Sequence, residues 1–381
     1  PGNKQKDNVL LAWQNVGSAG GKAITYAPAA DAGFPKGMVL SEYATPSWSD
    51  DGARLFVGIK EQEPEIAAAD SNKADVDIWH WKDETAQSVQ IVQIQQLRRA
   101  TIPAVILVGS NKLVQLGDTN MRAVTPTANA GAAIGRDAGA YRGDVQWGTS
   151  HADLYTVNVT TGARTLIDKD LSRTYGTSPD SRWFLYLKNK QVRAFNLDNG
   201  TSTTLDASLV PGKTYVNTDD DHAYELPIWG LGGWTKDGKS VLLYDKYDVW
   251  QVPLDGGKET NLTAGVGKAQ QIQFRVVRLA GGGRGGRGGG GGFGGGGLGP
   301  DTAAVDLSQP VTLSAYGDRS KKFGYWQVTA GQQPHPLIWE DRNVCGAIKA
   351  EDADRVVFTE QDFNEFPDYL ATNTQFANPQ K

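Results

Sequence analysis

A recurring pattern of turns and strands constrains the fold of this chain more than any other feature. Its clearest copy, residues 234–263, reads W-T-K-D-G-K-S-V-L-L-Y-D-K-Y-D-V-W-Q-V-P-L-D-G-G-K-E-T-N-L-T. Asp237-Gly238 predicts a turn, followed by one strand over 240–244 and another over 247–254, because glycine permits tight turns and β-branched and aromatic residues suit strands. Asp255-Gly256-Gly257 then turns the chain into a third strand. A single unit cannot bury its own faces, so repetition is expected.

The unit repeats at a nearly constant spacing. The turn positions fall at Gly52, Gly131, Ser181, Gly238 and Asp354. They are separated by 79, 50, 57 and 116 residues, and the last spacing is twice 58, so one degenerate unit is predicted between the last two turns. A period of about 50–58 residues with several strands each predicts an all-β β-propeller with roughly six units visible. An irregular β-sandwich is the alternative.

Composition and charge agree with one globular propeller over residues 1–381. The net charge of −5 argues against a general nucleic-acid binder. The single cysteine, Cys345, excludes an internal disulfide framework, and no apolar run approaches the roughly 20 residues of a membrane helix. The opening residues 1–7 are polar and show no export signal, which suggests a processed or truncated N-terminus and leaves localisation undetermined.

Two segments interrupt the repeat. Residues 84–100 are rich in Gln and end in Arg98-Arg99-Ala100, and they predict an insertion between blade strands, either a long strand pair or a short helix. This insertion accounts for the long spacing of 79 residues. In Gly281–Gly299, 15 of 19 residues are Gly, which predicts a flexible loop within a blade. An Arg-Gly-Gly nucleic-acid segment is the alternative, but it would have only two arginines in an acidic chain.

No catalytic nucleophile is evident. A hydrolase elbow needs G-x-S-x-G between a strand and a helix. The nearest strings are Gly148-Thr149-Ser150-His151-Ala152 and Gly176-Thr177-Ser178-Pro179-Asp180, and neither precedes a helical pattern. Both are interpreted as turns, so the sequence assigns no catalytic residue.

The sequence also contains no residue pattern typical of a metal or cofactor site. The four histidines show no H-E-x-x-H or paired spacing: His80, His151, His222 and His335. Asp219-Asp220-Asp221 and the acidic stretch 61–65 could bind a cation or a substrate amine, but neither matches a calcium loop. Solvated loops are the favoured interpretation, and no metal-binding or cofactor-binding residue is assigned.

The alternating strand at 247–254 predicts which side chains are buried. Trp250, Val252 and Leu254 share one face by period-two alternation. That face is expected to pack against the neighbouring blade, with a cost of about 3–5 kcal/mol for Trp250→Ala.

The S-x-D-G blade turns and three further segments resemble a known family. The segments are residues 77–83 (D-I-W-H-W-K-D), residues 244–250 (Y-D-K-Y-D-V-W) and residues 358–369 (F-T-E-Q-D-F-N-E-F-P-D-Y). Together they resemble the N-terminal propeller of bacterial prolyl-oligopeptidase-family serine peptidases, over nearly the whole chain. The last segment resembles the final blade just before the α/β-hydrolase domain of that family.

The resemblance implies a propeller without an active site that caps or gates a hydrolase domain and admits short peptides. That domain would carry the Ser, Asp and His, either C-terminal to Lys381 or as a separate chain. Some relatives hold the peptide amino terminus with paired Glu residues, but Glu61, Glu63 and Glu65 match no such motif and are not assigned. The resemblance favours a periplasmic or exported protein. A stand-alone interaction propeller that scaffolds other proteins is the alternative.

Overall fold

The computed structural model describes residues 4–14, 16, 17, 20–63, 76, 78–148, 150–205, 213–279 and 304–381. The described chain forms two compact units, one ending at Ser172 and the other beginning at Arg173. The predicted loop Gly281–Gly299 lies outside the described residues. None of the described helices has the length and apolar character needed to cross a membrane.

The first unit begins with two strands that pair only with each other, followed by a larger sheet. The elements are β1 (Leu10–Gln14), β2 (Lys22–Tyr26), a 3-10 helix (Pro28–Ala30), β3 (Met38–Leu40), β4 (Ser47–Trp48), β5 (Arg54–Glu61), α1 (Gln87–Arg99), β6 (Ile102–Leu107) and β7 (Lys112–Gln115). Strands β3, β5, β6 and β7 pair in that order, and β4 pairs with β5. Since β5 and β6 are direct neighbours, the segment that contains α1 is an insertion between adjacent strands.

A four-stranded antiparallel meander completes the first unit. Its elements are β8 (Ala123–Pro126), β9 (Ala132–Asp137), a 3-10 helix (Gly139–Trp147), β10 (Ala152–Asn158) and β11 (Arg164–Leu171). The strands pair in sequence order. Consecutive antiparallel strands of this kind are the pattern of a propeller blade.

The second unit continues the same pattern. Its first two sheets contain β12 (Arg173–Thr177), β13 (Trp183–Lys188), β14 (Gln191–Asn196), β15 (Ser202–Thr204), β16 (Leu231–Thr235), β17 (Ser240–Tyr244), β18 (Val249–Pro253) and β19 (Thr260–Asn261). Each set of four pairs in sequence order. The strands predicted at 240–244 and 247–254 are confirmed as β17 and β18, with the second strand shorter than expected.

The degenerate unit predicted from the doubled spacing is present. A short helix, α2 (Val266–Gln270), precedes this unit. The strands that follow it are β20 (Ile272–Val276), β21 (Ala304–Val305), β22 (Val311–Gly317), β23 (Phe323–Val328) and β24 (His335–Glu340). Strands β20, β22, β23 and β24 form one antiparallel sheet, while β21 pairs in parallel with β16. Since β20 ends at Val276 and β22 begins at Val311, 34 residues rather than a short turn separate these two strands. The unit therefore has no turn signature in the sequence.

The last sheet has three antiparallel strands. These are β25 (Asn343–Lys349), β26 (Val356–Gln361) and β27 (Asp368–Thr372). An isolated bridge between Ala371 and Gln380 extends its edge. The all-β fold class built from successive blade-like meanders is therefore confirmed.

The same hydrogen-bonded turn joins two consecutive strands in each of four sheets. Its hydroxyl donates to the Asp or Asn two residues later: Ser49 to Asp51 (2.5 Å), Thr127 to Asn129 (2.9 Å), Ser178 to Asp180 (2.5 Å) and Thr235 to Asp237 (2.6 Å). The next residue adopts a positive φ: Gly52 (63°), Ala130 (51°), Ser181 (60°) and Gly238 (68°). The repeat in the sequence is thus a repeat of this turn, whose Asx-type geometry is local.

The core of the second unit confirms the predicted face of β18. Val252 and Leu254 are buried in a cluster that includes Leu185 and Leu187 of the neighbouring sheet. Trp250 packs against the same cluster, as predicted, and is partly buried. Its ring also covers a charged group. The stability cost of Trp250→Ala stays a prediction.

That charged group is the ammonium of Lys213. Its Nζ lies 3.6 Å from the Trp250 ring centroid and 4.4 Å from that of Tyr215. The same Nζ pairs with Glu259, whose carboxylate accepts the Tyr215 hydroxyl at 2.7 Å. The side chains of Lys213 and Glu259 are only 4% and 10% exposed. An ion pair at this depth is enclosed by two aromatic rings, which compensates part of its lost hydration.

Candidate functional site

Of the two serine-containing strings, the one at 176–180 lies at a turn between two strands, as the sequence predicts. Ser178 lies at the β12–β13 turn, where its hydroxyl donates to Asp180 and accepts the N–H of Trp183 at 2.9 Å. It is 1% exposed, and strand β13 follows it rather than a helix. Ser150 lies two residues before the first residue of β10. Neither serine has the strand-to-helix setting of a nucleophile elbow.

The histidines form separate local pairs. His151 Nδ1 lies 2.6 Å from Asp170, and His222 Nδ1 lies 2.6 Å from Asp220. Hydrogen bonding to Asp220 raises the pKa of the exposed His222, and the same contact lowers the pKa of Asp220. His80 and His335 are exposed.

The acidic clusters have mostly structural partners. Ligand atoms of Asp220, Asp221 and His222 lie within 4.8 Å of one another, an arrangement that a cation could use, but exposed acidic groups of this kind are common without one. Asp219 instead pairs with Lys246 at 2.7 Å. In the other cluster, Glu63 pairs with both Lys4 and Lys60.

An open cleft of about 590 Å³ lies in the first unit, beside β1, β3 and β5. Its walls include Leu11, Trp13 and Trp48. Glu42, which also lines it, pairs with Lys6 at 3.0 Å. The cleft has both polar and apolar walls, and its charged wall residue Glu42 already has a partner, so it selects no particular ligand.

The most distinctive surface is the loop between β26 and β27, residues 362–367. Its backbone is folded by Asp362, whose Oδ1 accepts the N–H groups of Asn364 at 2.7 Å and Glu365 at 2.8 Å. Asp362 N–H in turn donates to the carbonyl of Glu365. These local bonds close a tight Asx-type turn. The backbone bonds lower the pKa of Asp362, with the nearby Arg342 charge adding to the effect.

Arg342 ties this turn to the sheet. Its guanidinium contacts Glu360 at 2.8 Å, Asp362 at 3.2 Å and Glu365 at 2.8 Å. Hydrogen bonding to Glu360 and Glu365 raises the pKa of Arg342. A planar guanidinium with five donors suits this role, since it can bind several carboxylates in fixed directions. One cation before β25 thus fixes both the end of β26 and the loop.

The fixed loop presents aromatic rings to solvent. The side chain of Phe363 is fully exposed, that of Phe366 is 87% exposed, and that of Tyr369 at the start of β27 is 72% exposed. Exposed aromatic residues on a rigid support are typical binding hot spots, because they bury large area at little entropic cost. We call residues 362–369, which carry the exposed rings of Phe363, Phe366 and Tyr369, the aromatic loop.

The charge around the aromatic loop is acidic. Four carboxylates surround it, while Arg342 and Lys381 supply two positive charges: the acids are Glu360, Asp362, Glu365 and Asp368. A partner with apolar pockets and a basic rim would complement this surface. The arrangement offers binding rather than bond-breaking chemistry, since none of these groups is a placed nucleophile.

Sequence reasoning identified residues 358–369 by resemblance but missed the aromatic loop as a site. The available signal was Asp362-x-Asn364, an Asx turn, flanked by two Phe in an acidic stretch. The contribution of Arg342 had no local signal, because it comes from another strand.

No family model matches this chain, and no curated protein matches it. Among solved structures, the β-propeller domain of the Trilobed protease from Pyrococcus furiosus is 11% identical, covering 87% of this chain and 84% of that chain with a TM-score of 0.35. The Pyrococcus horikoshii acylaminoacyl peptidase is 8% identical, covering 98% of this chain and 48% of that chain (TM-score 0.33). A putative TolB from Agrobacterium tumefaciens is 12% identical, covering 88% and 79% respectively (TM-score 0.29).

This chain therefore spans about half the length of the acylaminoacyl peptidase. The similar structures are propeller domains of peptidases and a TolB-like protein, all at low identity. Similarity at this level carries no argument about activity, which has to come from the residues of the chain.

Proposed function

We propose that this chain is the non-catalytic propeller part of a prolyl-oligopeptidase-like serine peptidase and that it gates the hydrolase domain. The observation that carries the proposal is the aromatic loop. It lies within residues 358–369, the stretch that resembles the final blade before the hydrolase domain of that family. A braced loop with outward-facing rings is what a docking contact at that position needs.

In this proposal the catalytic Ser, Asp and His belong to an α/β-hydrolase domain, in the same parent chain or in a separate one. Phe363 and Phe366 enter apolar pockets of that domain, and the acidic residues around them pair with its basic rim. The propeller then restricts access to short peptides.

The first test asks whether the parent protein has a reactive serine outside this sequence. A serine-directed fluorophosphonate probe is added to a lysate of the source organism, the protein is captured with an antibody to this chain, and labelled peptides are identified by mass spectrometry. We expect one labelled serine in a segment other than residues 1–381. Labelling of Ser150 or Ser178, or no labelled serine in either the captured protein or a chain captured with it, would contradict the proposal.

The second test addresses docking in the parent protein. Phe363→Ala with Phe366→Ala should reduce peptide hydrolysis by about tenfold or more, since loss of central aromatic anchors typically costs over 1 kcal/mol each. Tyr43→Ala is the control, because Tyr43 is an exposed aromatic residue of the first unit. Unchanged hydrolysis in the double variant would reject the docking role.

A captured protein without a reactive serine, whose partners are lost in the double Phe variant, would establish the alternative, a stand-alone interaction propeller.

A further inference from the structure

Helix α1 is an exposed insertion without a core of its own. None of its 13 residues is buried. Its aliphatic side chains are 40–83% exposed: Val89, Ile91, Val92, Ile94 and Leu97. Helices of about 12–15 residues are marginal in water, so most such helices depend on packing. This helix therefore lacks, within the described chain, the contacts that usually stabilise one.

Two tryptophans enlarge the apolar surface just before the helix. Trp79 is 64% and Trp81 is 85% exposed. Aromatic side chains of this size bury about 150–250 Å² each, so the pair presents on the order of 300 Å². With the aliphatic residues of α1, they form an exposed apolar surface at this insertion.

The distribution of apolar residues favours a protein rather than a lipid surface as the partner. At 3.6 residues per turn, Val89 and Val92 lie on one side of α1, and Ile91 and Ile94 lie on another. A membrane-surface helix has one apolar face and a strongly charged opposite face. Between Gln87 and Leu97 this helix carries no charge at all. Helices that are apolar on several sides are normally enclosed by protein.

The charges at its two ends complement those of a second copy of this chain. Asp83 and Glu84 precede α1, and Arg98 and Arg99 form its last turn. The Glu84 side chain is 59% exposed, with Arg142 3.8 Å away. When two such helices pack antiparallel about a two-fold axis, the basic end of each lies beside the acidic end of the other. A parallel pair would oppose like charges.

We propose that α1, together with Trp79 and Trp81, is a self-association surface on which two copies of the chain pack their helices antiparallel. The inference depends on α1 and its flanks alone and is independent of the peptidase assignment.

The test is sedimentation velocity of the full chain over a range of concentrations. The wild-type chain should pass from monomer to dimer. Val92→Gln with Leu97→Gln should weaken the dimer by at least about tenfold, a change worth 1.4 kcal/mol. Leu166→Gln is the matched control, since Leu166 is an exposed leucine on β11. Circular dichroism checks that each variant is folded. A wild-type monomer at every concentration, or an equal effect of the control, would overturn the proposal.

Charge reversal tests the antiparallel orientation. One variant carries all four reversals, Asp83→Lys, Glu84→Lys, Arg98→Glu and Arg99→Glu. In the antiparallel arrangement it should dimerise with itself as the wild type does, because each basic end still lies beside an acidic end, but it should not form a heterodimer with the wild type, because like charges would meet. A heterodimer with the wild type, or a variant that stays monomeric while the wild type dimerises, would overturn the orientation.

A lipid surface is the competing occupant. Flotation of the full chain with phosphatidylserine vesicles should leave it unbound. Binding of a monomeric chain that is lost in Trp81→Ala would overturn self-association.

Discussion

Lys213 and Arg342 each hold carboxylates in the second unit, but at different depths. The Lys213 and Glu259 side chains are 4% and 10% exposed, whereas Arg342 is 33% and its partner Glu365 is 54% exposed. Removing one partner of a buried pair leaves an uncompensated charge, while water screens an exposed pair. Loss of a partner in the Lys213 cluster should therefore destabilise the fold, whereas the Arg342 cluster shapes a surface.

The largest expected effect is at Lys213. Lys213→Met should lower the free energy of unfolding by about 3–5 kcal/mol, because the Glu259 carboxylate stays buried without its cation. Urea denaturation measures the change.

Two controls separate this effect from a general loss of a lysine. Adding Glu259→Leu to Lys213→Met should recover most of the loss, since neither charge remains. Lys236→Met removes an exposed pair with Asp306 and should change stability by less than about 1 kcal/mol. If Lys213→Met costs no more than Lys236→Met, the contrast between buried and exposed clusters fails.

Trp250 should show the next largest effect. Trp250→Ala removes a half-buried ring that packs on the core and covers Lys213, so we expect a loss of about 2–3 kcal/mol, below the range for fully buried aromatics. Trp250→Phe keeps a ring but removes the Nε1–H that donates to Asp245 at 2.8 Å, and should cost about 1 kcal/mol. Equal losses in both variants would show that the hydrogen bond, not the ring, matters.

Arg342 should affect the loop more than the fold. Arg342→Met should change the free energy of unfolding by about 1 kcal/mol or less, as exposed ion pairs do. The amides of Asn364 and Glu365 should nevertheless exchange faster with deuterium, because the turn loses its tie to the sheet. Arg182→Met, which removes the exposed pair with Asp198, is the control. Unchanged exchange at both amides would mean that Asp362 alone holds the loop.

The smallest expected effect is a pH dependence of the aromatic loop. Because the folded-state pKa of Asp362 is lowered, its contribution is present above the unfolded carboxyl pKa and is lost as the pH falls through the lower folded value. The amide resonances of Asn364 and Glu365 should therefore stay constant from neutral pH to about pH 5 and shift only below about pH 4. Asp362→Asn should remove the transition. A midpoint at or above the ordinary aspartate value would contradict the lowered pKa.

Much of the fold was predictable because its signals are local. The hydroxyl, carboxylate and positive-φ residue of the Thr235–Gly238 turn lie within four consecutive positions. Strand β17 matches its predicted bounds because five consecutive residues are apolar, β-branched or otherwise suited to a strand. Even the unit without a turn signature could be predicted from the regular spacing.

The insertion 84–100 shows the limit of pattern reasoning. Its apolar residues mark no single helical face, so the sequence did not decide between a strand pair and a short helix. The structure contains α1 because Gln, Leu and Arg have high helix propensity. With no residue of the helix buried, tertiary packing in this chain does not override that preference.

The turns, the strands and the spacing between units follow from the sequence alone, because each depends on neighbours in the chain. Which charges meet and which rings stay outside depends on the tertiary fold. Lys213 reaches Glu259 and Trp250 across a sheet, and Arg342 reaches a loop two strands further on. These contacts join residues that are distant in sequence, so their energies depend on packing and depth, which no local pattern encodes.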